Sequence, residues 1–349
     1  MTSQLPIHPS MMDLFQFDCK KWFHDLLPVY LSLKIATSQF IELGLSHMNR
    51  FPFIVTIVDA MISLYYRTCG LSPCTVDLDD HTTMHYWTAN HRKFNKPVLV
   101  LIHGYGSTST WQFIRQVGQL SESFNLFIPD LLFFGKSHSK RSDRAVEFQA
   151  VCVGQGLKRL GVERFSVYAL SYGGWVGYQM AHIYPEMVEK LVIVSSGIGF
   201  TEAQKREHRI GRKWTDMLCP EKPDDMRFLA AMAIHKYAIS KWVPDFFLRE
   251  FLIVMFKNYK KERLELVEYL LAKKADFDLP ILTQETLLIW GDKDNIFPLC
   301  LGHQLQRHLG PKSKFKIIKD TGHAANVESP HLLNDLIKSF VLGSPKLDF

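Results

Sequence analysis

The sequence predicts an α/β protein with an open, mostly parallel sheet that has helices on both faces. Two patterns predict it: runs of apolar residues with no polar interruption, such as residues 98–102 and 165–170, and helical segments that lie between these runs. A continuous apolar strand is buried on both faces, which is typical of parallel strands covered by helices. From residue 74 onward this alternation gives a layered α/β domain.

Eight strands are expected in chain order, of which the first two form a pair around a turn at residues 79–81. The predicted strands are residues 75–78, 82–87, 98–102, 126–128, 165–170, 191–194, 286–290 and 315–318. Helical segments are expected at residues 110–120, 145–160, 175–183, 299–308 and 331–340.

Two segments depart from the alternation. Residues 1–73 are apolar, aromatic and poor in strand signals, so we expect an N-terminal apolar helical extension. Residues 197–285 contain no convincing strand but many helix-forming, charged and aromatic residues, which favours a helical cap inserted between two parts of the core, residues 74–196 and 286–349. The alternative is a second, unrelated domain, but the strand pattern resumes directly after this segment.

Composition excludes several classes of protein. The 349 residues are 22% charged, and 41 Lys and Arg against 35 Asp and Glu give a net charge of +6 spread along the chain. Nucleic-acid binding needs a clustered basic face, so no nucleic-acid partner is expected. The six cysteines include no CxxC pair, which argues against a zinc site or a disulfide framework. With no sequon and no signal-peptide pattern, we expect a cytoplasmic protein.

The longest apolar run covers residues 51–66 and is interrupted by Asp59. It is shorter than the roughly 20 residues of a membrane-spanning helix. Thr56, Asp59 and Ser63 are spaced by three and four, which places them on one stripe of a helix with a wide apolar face. Two interpretations stay open: the helix packs on the protein itself, or it lies in a membrane surface or lines a substrate entrance. If the helix lies in a membrane surface, we expect peripheral membrane contact through residues 23–66.

The strongest local signal is a strand that runs directly into Ser171, then Tyr172, two glycines and a helix. This is the context of a nucleophile elbow, in which a strained turn exposes a serine hydroxyl. The residues two before and two after the serine must be small, and here they are Ala169 and Gly173. Glycine is usual at the first of these positions, so Ala169 is a mild departure.

A second apolar strand ends in the glycine-rich turn at residues 103–106. Acyl transfer places negative charge on an oxygen, and two backbone N–H groups must already point at it. We expect one from Tyr172, which follows the serine, and the other from Tyr105 in this turn. His103 is expected to fix the loop, and no catalytic role is expected for it.

An acid and a base follow the last two predicted strands. Asp294 is our candidate for the acid that orients a histidine, whereas Asp292, directly after a glycine, is expected to shape the turn. His323 lies in a loop with small neighbours, where an imidazole can take a proton from Ser171 and later return it to the leaving group.

These features together resemble the α/β-hydrolase superfamily, and within it the plant-type branch with an N-terminal apolar helical extension. The resemblance covers roughly residues 74–342 and shares the chain order Ser…Asp…His. The segments that carry it are residues 103–106, 111–113, 129–137, 171–174, 291–294 and 322–323. It implies that Ser171 is the nucleophile, His323 the base and Asp294 its orienting acid, with no metal or organic cofactor.

The resemblance also narrows the reaction. Epoxide hydrolases and dehalogenases of this superfamily use an aspartate as the nucleophile, and Ser171 stands at that position here. We therefore expect hydrolysis of a carboxylic ester through an acyl-enzyme. The aromatic residues of the predicted cap, in a chain with 25 Phe, favour a small apolar and aromatic substrate. A monoacylglycerol lipase-like activity, a ligand-sensing receptor and a C–C hydrolase or lyase with the same triad are the alternatives. The sequence leaves the substrate-binding residues and the oligomeric state open.

Overall fold

The computed structural model describes residues 52–207, 211–237, 243–272 and 279–343. Most of the predicted N-terminal extension therefore lies outside the described residues, as do residues 344–349. Within the described part of the chain the central feature is a nine-stranded sheet with the strand order β1-β2-β4-β3-β6-β7-β8-β9, where β5 pairs with β2.

The strands closely follow the predicted apolar runs. They are β1 Leu71–Asp79, β2 Thr82–Ala89, β3 Val98–Ile102, β4 Asn125–Pro129, β5 His138–Ser139, β6 Phe165–Leu170, β7 Val188–Val194, β8 Glu285–Gly291 and β9 Ser313–Ile318. All pairs from β4 through β9 along the strand order are parallel, and β2 is antiparallel to β1, β4 and β5. The sheet thus has one strand more than the eight predicted, because β5 is too short to leave a period-2 signal.

Helices cover both faces of this sheet or lie between β7 and β8. Those associated with the sheet are α1 Phe53–Thr68, α2 Ser109–Ser121, α3 Val146–Arg159, α4 Tyr172–Ile183, α10 Leu299–Leu309, α11 Ala325–Glu328 and α12 Pro330–Leu342. Those between β7 and β8 are α5 Glu202–Glu207, α6 Trp214–Leu218, α7 Pro223–Ala233, α8 Asp245–Phe256 and α9 Lys260–Ala272. No strand occurs among the described residues of this inserted segment.

Helix α1 packs against both the sheet and the inserted helices. Val55, Val58, Ile62 and Tyr66 are its buried residues. The side chain of Glu250 on α8 accepts hydrogen bonds from the first backbone N–H groups of α1, at 2.7 Å from Ile54 and 3.0 Å from Val55. These N–H groups have no partner within the helix, so a carboxylate placed there satisfies them and stabilises the helix dipole. No helix of the described residues reaches the length and hydropathy that crossing a membrane requires.

The buried carboxylate of Asp130 joins the end of β4 to β2 and to the start of α2. Asp130, directly after β4, accepts hydrogen bonds from the N–H and the hydroxyl of Ser109, and its other oxygen lies 3.0 Å from Nδ1 of His85. Burial acts to raise the pKa of Asp130, but the hydrogen bonds from His85 and Ser109 outweigh it and hold that pKa below its usual value. The start of α2 and the end of β4 are thereby held together.

Candidate active site

The turn between β6 and α4 has the strained geometry that the sequence predicts. Ser171 has φ 55° and ψ −117°, a backbone conformation that residues with a side chain rarely adopt. Its N–H donates to the carbonyl of Val194 at 2.8 Å. A Cβ on Gly173 would lie 2.5 Å from the carbonyl oxygens of Ile102 and His103, so only glycine fits where α4 begins beside β3.

The alanine at position 169 has its own structural reason. A Cβ on Gly177 of α4 would lie 2.8 Å from the Cβ of Ala169, which shows how closely the helix crosses β6. Ala169 is fully buried. A small residue is therefore needed at 169 because of the helix, whereas glycine at 173 is needed because of the β3 carbonyls.

Ser171, His323 and Asp294 form one continuous hydrogen-bond chain. The hydroxyl of Ser171 lies 2.9 Å from Nε2 of His323, and Nδ1 of His323 lies 2.9 Å from Oδ2 of Asp294. Because a carboxylate oxygen accepts, Nδ1 carries the proton of a neutral imidazole and Nε2 is free to accept from the serine. His323 is 8% exposed, so the residue is largely buried but not fully enclosed.

The two candidate acids occupy different positions. The side chain of Asp294 is fully buried, and its other oxygen accepts the N–H groups of Ile296 and Phe297 at 2.9 and 2.8 Å. Asp292 is not bonded to the imidazole: one of its oxygens accepts the N–H of Thr321 at 3.3 Å. The carboxylate of Asp292 therefore shapes the turn next to the site, and that of Asp294 faces His323.

A glycine brings the loops of β8 and β9 together. A Cβ on Gly291 would lie 2.1 Å from the carbonyl oxygen of Thr321, so the two chains could not approach with any other residue at this position. This close approach sets the separation between Asp294 and His323, each of which lies a few residues further along its loop.

The loop after β3 is held by two side chains, of which the sequence analysis assigned a role to one. The Nδ1–H of His103 donates to the carbonyl of Gly104 at 2.7 Å, and its Nε2 accepts the N–H of Leu131 at 2.9 Å. Gln112 on α2 was missed: its amide oxygen accepts the N–H of Gly104 at 2.8 Å and its amide nitrogen donates to the same carbonyl at 2.9 Å. Both sides of the Gly104 backbone are thus fixed.

The two predicted oxyanion donors lie next to this loop and the elbow. Tyr172 is the first residue of α4, so its N–H has no acceptor within the helix. The side chain of Tyr105 is fixed at its far end, where its hydroxyl donates to the carbonyl of Arg263 on α9 at 2.9 Å. The ring of Tyr105 packs edge-on against those of Phe134 and Tyr172, at 5.1 and 6.0 Å between centroids.

The inserted helices also reach the loop that carries His323. Glu328 accepts the N–H of Gly322 at 2.9 Å and those of His235 and Lys236, which follow α7, at 2.6–3.1 Å. The N–H of Ala324 donates to the carbonyl of Ala233 at 2.9 Å. Sequence reasoning did not single out Glu328, because nothing in its local pattern marks a carboxylate that bridges distant backbone groups.

Aromatic side chains pack on one side of the imidazole of His323. The ring of Phe297 meets that of His323 edge-on with 5.4 Å between centroids. Phe297 in turn stacks on Trp214 of α6 at 6.0 Å and 17°. The surroundings of the hydrogen-bond chain are therefore apolar on this side.

Comparison with known protein families and sequences finds hydrolases. A family model described as alpha/beta hydrolase fold matches residues 97–226. An uncharacterized protein of Mycobacterium tuberculosis is 36% identical over 102 residues, so the match spans 29% of this chain and only 29% of that relative. A 2-hydroxy-6-oxononadienedioate/2-hydroxy-6-oxononatrienedioate hydrolase of Pseudomonas sp is 28% identical over 257 residues, 70% of this chain and 87% of that protein. Lipase 1 of Psychrobacter immobilis is 28% identical over 249 residues, 69% and 76% of the two chains.

Solved structures agree on the architecture. A putative lipase from Acinetobacter baumannii AYE superposes with a TM-score of 0.69 at 21% identity, covering 82% of this chain and 95% of that one. A membrane phospholipase A, described as a bacterial virulence factor, gives a TM-score of 0.71 at 21% identity over 93% and 99% of the two chains. At these identities the likeness establishes the fold, and the predicted fold class is confirmed. The relatives named here are bacterial, so the plant-type branch stays a prediction.

Buried His103 is expected to make the free energy of unfolding depend on pH. Burial lowers the pKa of His103, so the unfolded chain binds a proton near pH 6.5 that the folded chain does not. The contribution of His103 to the free energy of unfolding has its full value above about pH 6.5. It falls as the pH drops below that value, by at most about 1.4 kcal/mol per pH unit. Urea denaturation of His103→Gln between pH 7 and 5 should show a shallower loss than the parent protein.

The matched control is His81→Gln, since His81 is exposed. We expect it to keep the parent's slope. An unchanged slope in His103→Gln would mean that His103 does not lose its proton on folding.

Proposed function

We propose that this chain, which has the α/β-hydrolase fold, hydrolyses carboxylic esters with Ser171 as the nucleophile, His323 as the base and Asp294 as its orienting acid. The observation that carries the proposal is the unbroken chain of two 2.9 Å contacts from the hydroxyl of Ser171 through the imidazole to a buried carboxylate. The hydrolase relatives support the broad class of activity.

In the first half of the reaction the hydroxyl oxygen of Ser171 attacks the ester carbonyl carbon while Nε2 of His323 takes its proton. Asp294 stabilises the imidazolium that forms. The carbonyl oxygen becomes an oxyanion, and the backbone N–H groups of Tyr172 and Tyr105 donate to it. Collapse of this intermediate expels the alcohol, which receives the proton from Nε2 and leaves an acyl-enzyme.

Water completes the reaction. His323 takes a proton from a water molecule that attacks the acyl carbon, and a second oxyanion forms between the same two N–H groups. When it collapses, the serine oxygen recovers a proton from the imidazolium and the carboxylic acid is released. Each proton moves between a hydroxyl or water oxygen and one nitrogen, so the chain's own side chains suffice for both halves.

The proposed substrate is a small apolar ester with an aromatic part. The support is the aromatic wall beside the triad, where Phe297 contacts His323 and stacks on Trp214. A monoacylglycerol is the alternative substrate of the same chemistry. A ligand-sensing receptor remains the alternative from another class, and it would hydrolyse far more slowly than the roughly 1–1000 turnovers per second of ordinary enzymes.

A second reaction is supported by one relative. The Pseudomonas protein is named as a hydrolase of a 2-hydroxy-6-oxo dienedioate and matches over 87% of its length. A panel of aryl esters, alkyl esters of increasing chain length, a monoacylglycerol and a 2-hydroxy-6-oxo dienedioate therefore separates the candidates. Preference for the dienedioate over all the esters would overturn the ester assignment.

Replacing the nucleophile is the first test. We expect Ser171→Ala to reduce ester turnover by roughly 10⁴–10⁶-fold and to abolish labelling by a fluorophosphonate, because no hydroxyl remains at the elbow. Ser123→Ala changes a serine outside the hydrogen-bond chain and should keep both. Full labelling of Ser171→Ala would remove Ser171 from the mechanism.

The choice of acid is tested by two matched substitutions. Asp294→Asn should lower kcat by about 10³–10⁴-fold, since an amide at that position favours the wrong imidazole tautomer. Asp292→Asn should cost less than about tenfold, because Asp292 bonds only to the backbone N–H of Thr321 and lies near Lys293. Steady-state rates with the best ester of the panel give the ranking, and the reverse ranking would exchange the two roles.

Peripheral membrane contact through residues 23–66 is also proposed, and part of that range lies outside the described residues. Support comes from α1, whose outer face carries four exposed apolar side chains at helical spacing. They are Phe53, Ile57, Met61 and Leu64, 42–62% exposed. An outward apolar stripe on a helix whose opposite face is already packed suits an interfacial helix.

The stripe is tested by a charge placed at its C-terminal end, at its most exposed residue. Leu64→Glu is expected to lower the fraction of protein that co-floats with phosphatidylcholine–phosphatidylglycerol vesicles, because a carboxylate resists transfer into the interface. Leu332→Glu is the control, since Leu332 is a comparably exposed leucine, 46%, on another helix. Equal flotation of Leu64→Glu and the parent protein would contradict the proposed contact.

A further inference from the structure

A pocket of about 430 Å³ lies between α8, α9 and residues 219–221, and no residue of the proposed triad lines it. One wall is apolar and consists of Leu252, Ile253 and Phe256 on α8. Its volume lies in the range of small-molecule sites, which are mostly apolar with a few polar groups that fix the ligand. We call it the cap pocket.

The charged residues of the cap pocket are mainly cationic. Arg249, Lys257, Lys260 and Arg263 line it together with a single acid, Glu221. Lys260 is paired with Glu221 at 2.5 Å, and Arg249 lies 3.5 Å from Asp245 on its own helix. Lys257 has no ion-pair partner among the described residues.

Arg263 is the buried member of this set. It is 3% exposed, and its guanidinium donates to the carbonyl oxygens of Phe133 and Met255. The rings of Phe134 and Phe256 lie 4.4 and 5.5 Å from its central carbon. These partners stabilise the cation but are neutral, and no carboxylate in the described part of the chain contacts it. Asp130 interacts with this charge without forming an ion pair with it, so Arg263 contributes a buried positive charge to the lining of the pocket.

We propose that the cap pocket binds an amphiphile with an anionic head, a carboxylate or a phosphate, on an apolar tail. The head lies in the field of Lys257 and Arg263, and the tail packs against Leu252 and Ile253. Lys257 is exposed and Arg263 is buried, so an anion in the pocket interacts favourably with one cation near the solvent and one in the interior. A neutral amphiphile would gain only the apolar contacts.

The cap pocket is also linked to the loop after β3. The carbonyl of Arg263 and the Sγ of Cys219 both contact the hydroxyl of Tyr105, at 2.9 and 3.2 Å, and both residues line the pocket. An occupant therefore touches the residues that hold Tyr105 in place. The binding itself does not depend on the serine mechanism, so it can be measured in a protein that does not turn over.

Isothermal titration of the Ser171→Ala protein tests the proposal apart from catalysis. Octanoate and octyl phosphate are expected to bind at least about tenfold more tightly than octanol, which has the same tail and no charge, because a charge-assisted contact contributes that much. Acetate and inorganic phosphate, which lack the tail, should bind more weakly than the two amphiphiles. Binding of only one amphiphilic anion would support the proposal and identify the head group.

Location in the cap pocket is tested by reversing one charge. Lys257→Glu, added to Ser171→Ala, should weaken octanoate or octyl phosphate by at least about tenfold, whereas Lys261→Glu should not. Lys261 is a neighbouring exposed lysine that does not line the pocket, and thermal melting of both variants checks that they fold. Equal affinity for octanol and octanoate, or equal effects of the two substitutions, would overturn the proposal. Failure of the esterase assay alone would leave the pocket unaffected.

Discussion

The turn at Ser171 is the constraint on which the rest of the site depends. β6 lies between β3 and β7 in parallel register, with Ala169 opposite Ile102 and Leu170 opposite Val194, so both neighbouring strands hold its last residues. α4 begins at Tyr172, and a Cβ added to its second residue, Gly173, would lie 2.5 Å from the carbonyl oxygens of Ile102 and His103 at the end of β3. A serine at φ 55° between these fixed elements costs about 1–3 kcal/mol, and it persists because the flanking strand and helix leave the chain no alternative.

Parallel topology then brings distant residues together. The carboxyl ends of β6, β8 and β9 meet at one edge of the sheet, so Ser171 and His323 are hydrogen-bonded although they are 152 residues apart. The inserted helices lie between β7 and β8, where the length of the insertion does not disturb the register of the two strands. This is why a segment of helices can be large without moving Asp294 relative to the other two side chains.

Local sequence patterns predict most of the sheet and the three side chains of the hydrogen-bond chain, Ser171, Asp294 and His323. Buried parallel strands are continuous apolar runs, and the loops that follow them carry the polar residues, so β3 and β6 were predicted to the residue and Asp294 was chosen over Asp292. β5 was missed, and so were the roles of Gln112, Glu328 and Arg263. Each of these side chains bonds mainly to backbone groups far away in sequence, and such bonds leave no periodicity that a single sequence can show.

Two of these residues, Arg263 and Glu328, connect the inserted helices to the loops beside Ser171. The carbonyl of Arg263 accepts a hydrogen bond from the hydroxyl of Tyr105, which links α9 to the loop after β3. The carboxylate of Glu328 accepts from Lys236 and Gly322, which links the residues after α7 to the loop of His323. The first link ends next to the proposed oxyanion donors and the second ends in the loop that carries His323. A shift of the inserted helices that broke either link would leave a hydrogen-bonding group without its partner, at a cost of about 1–3 kcal/mol where that group is buried. The helices between β7 and β8 therefore help to position the loop after β3 and the loop that carries His323.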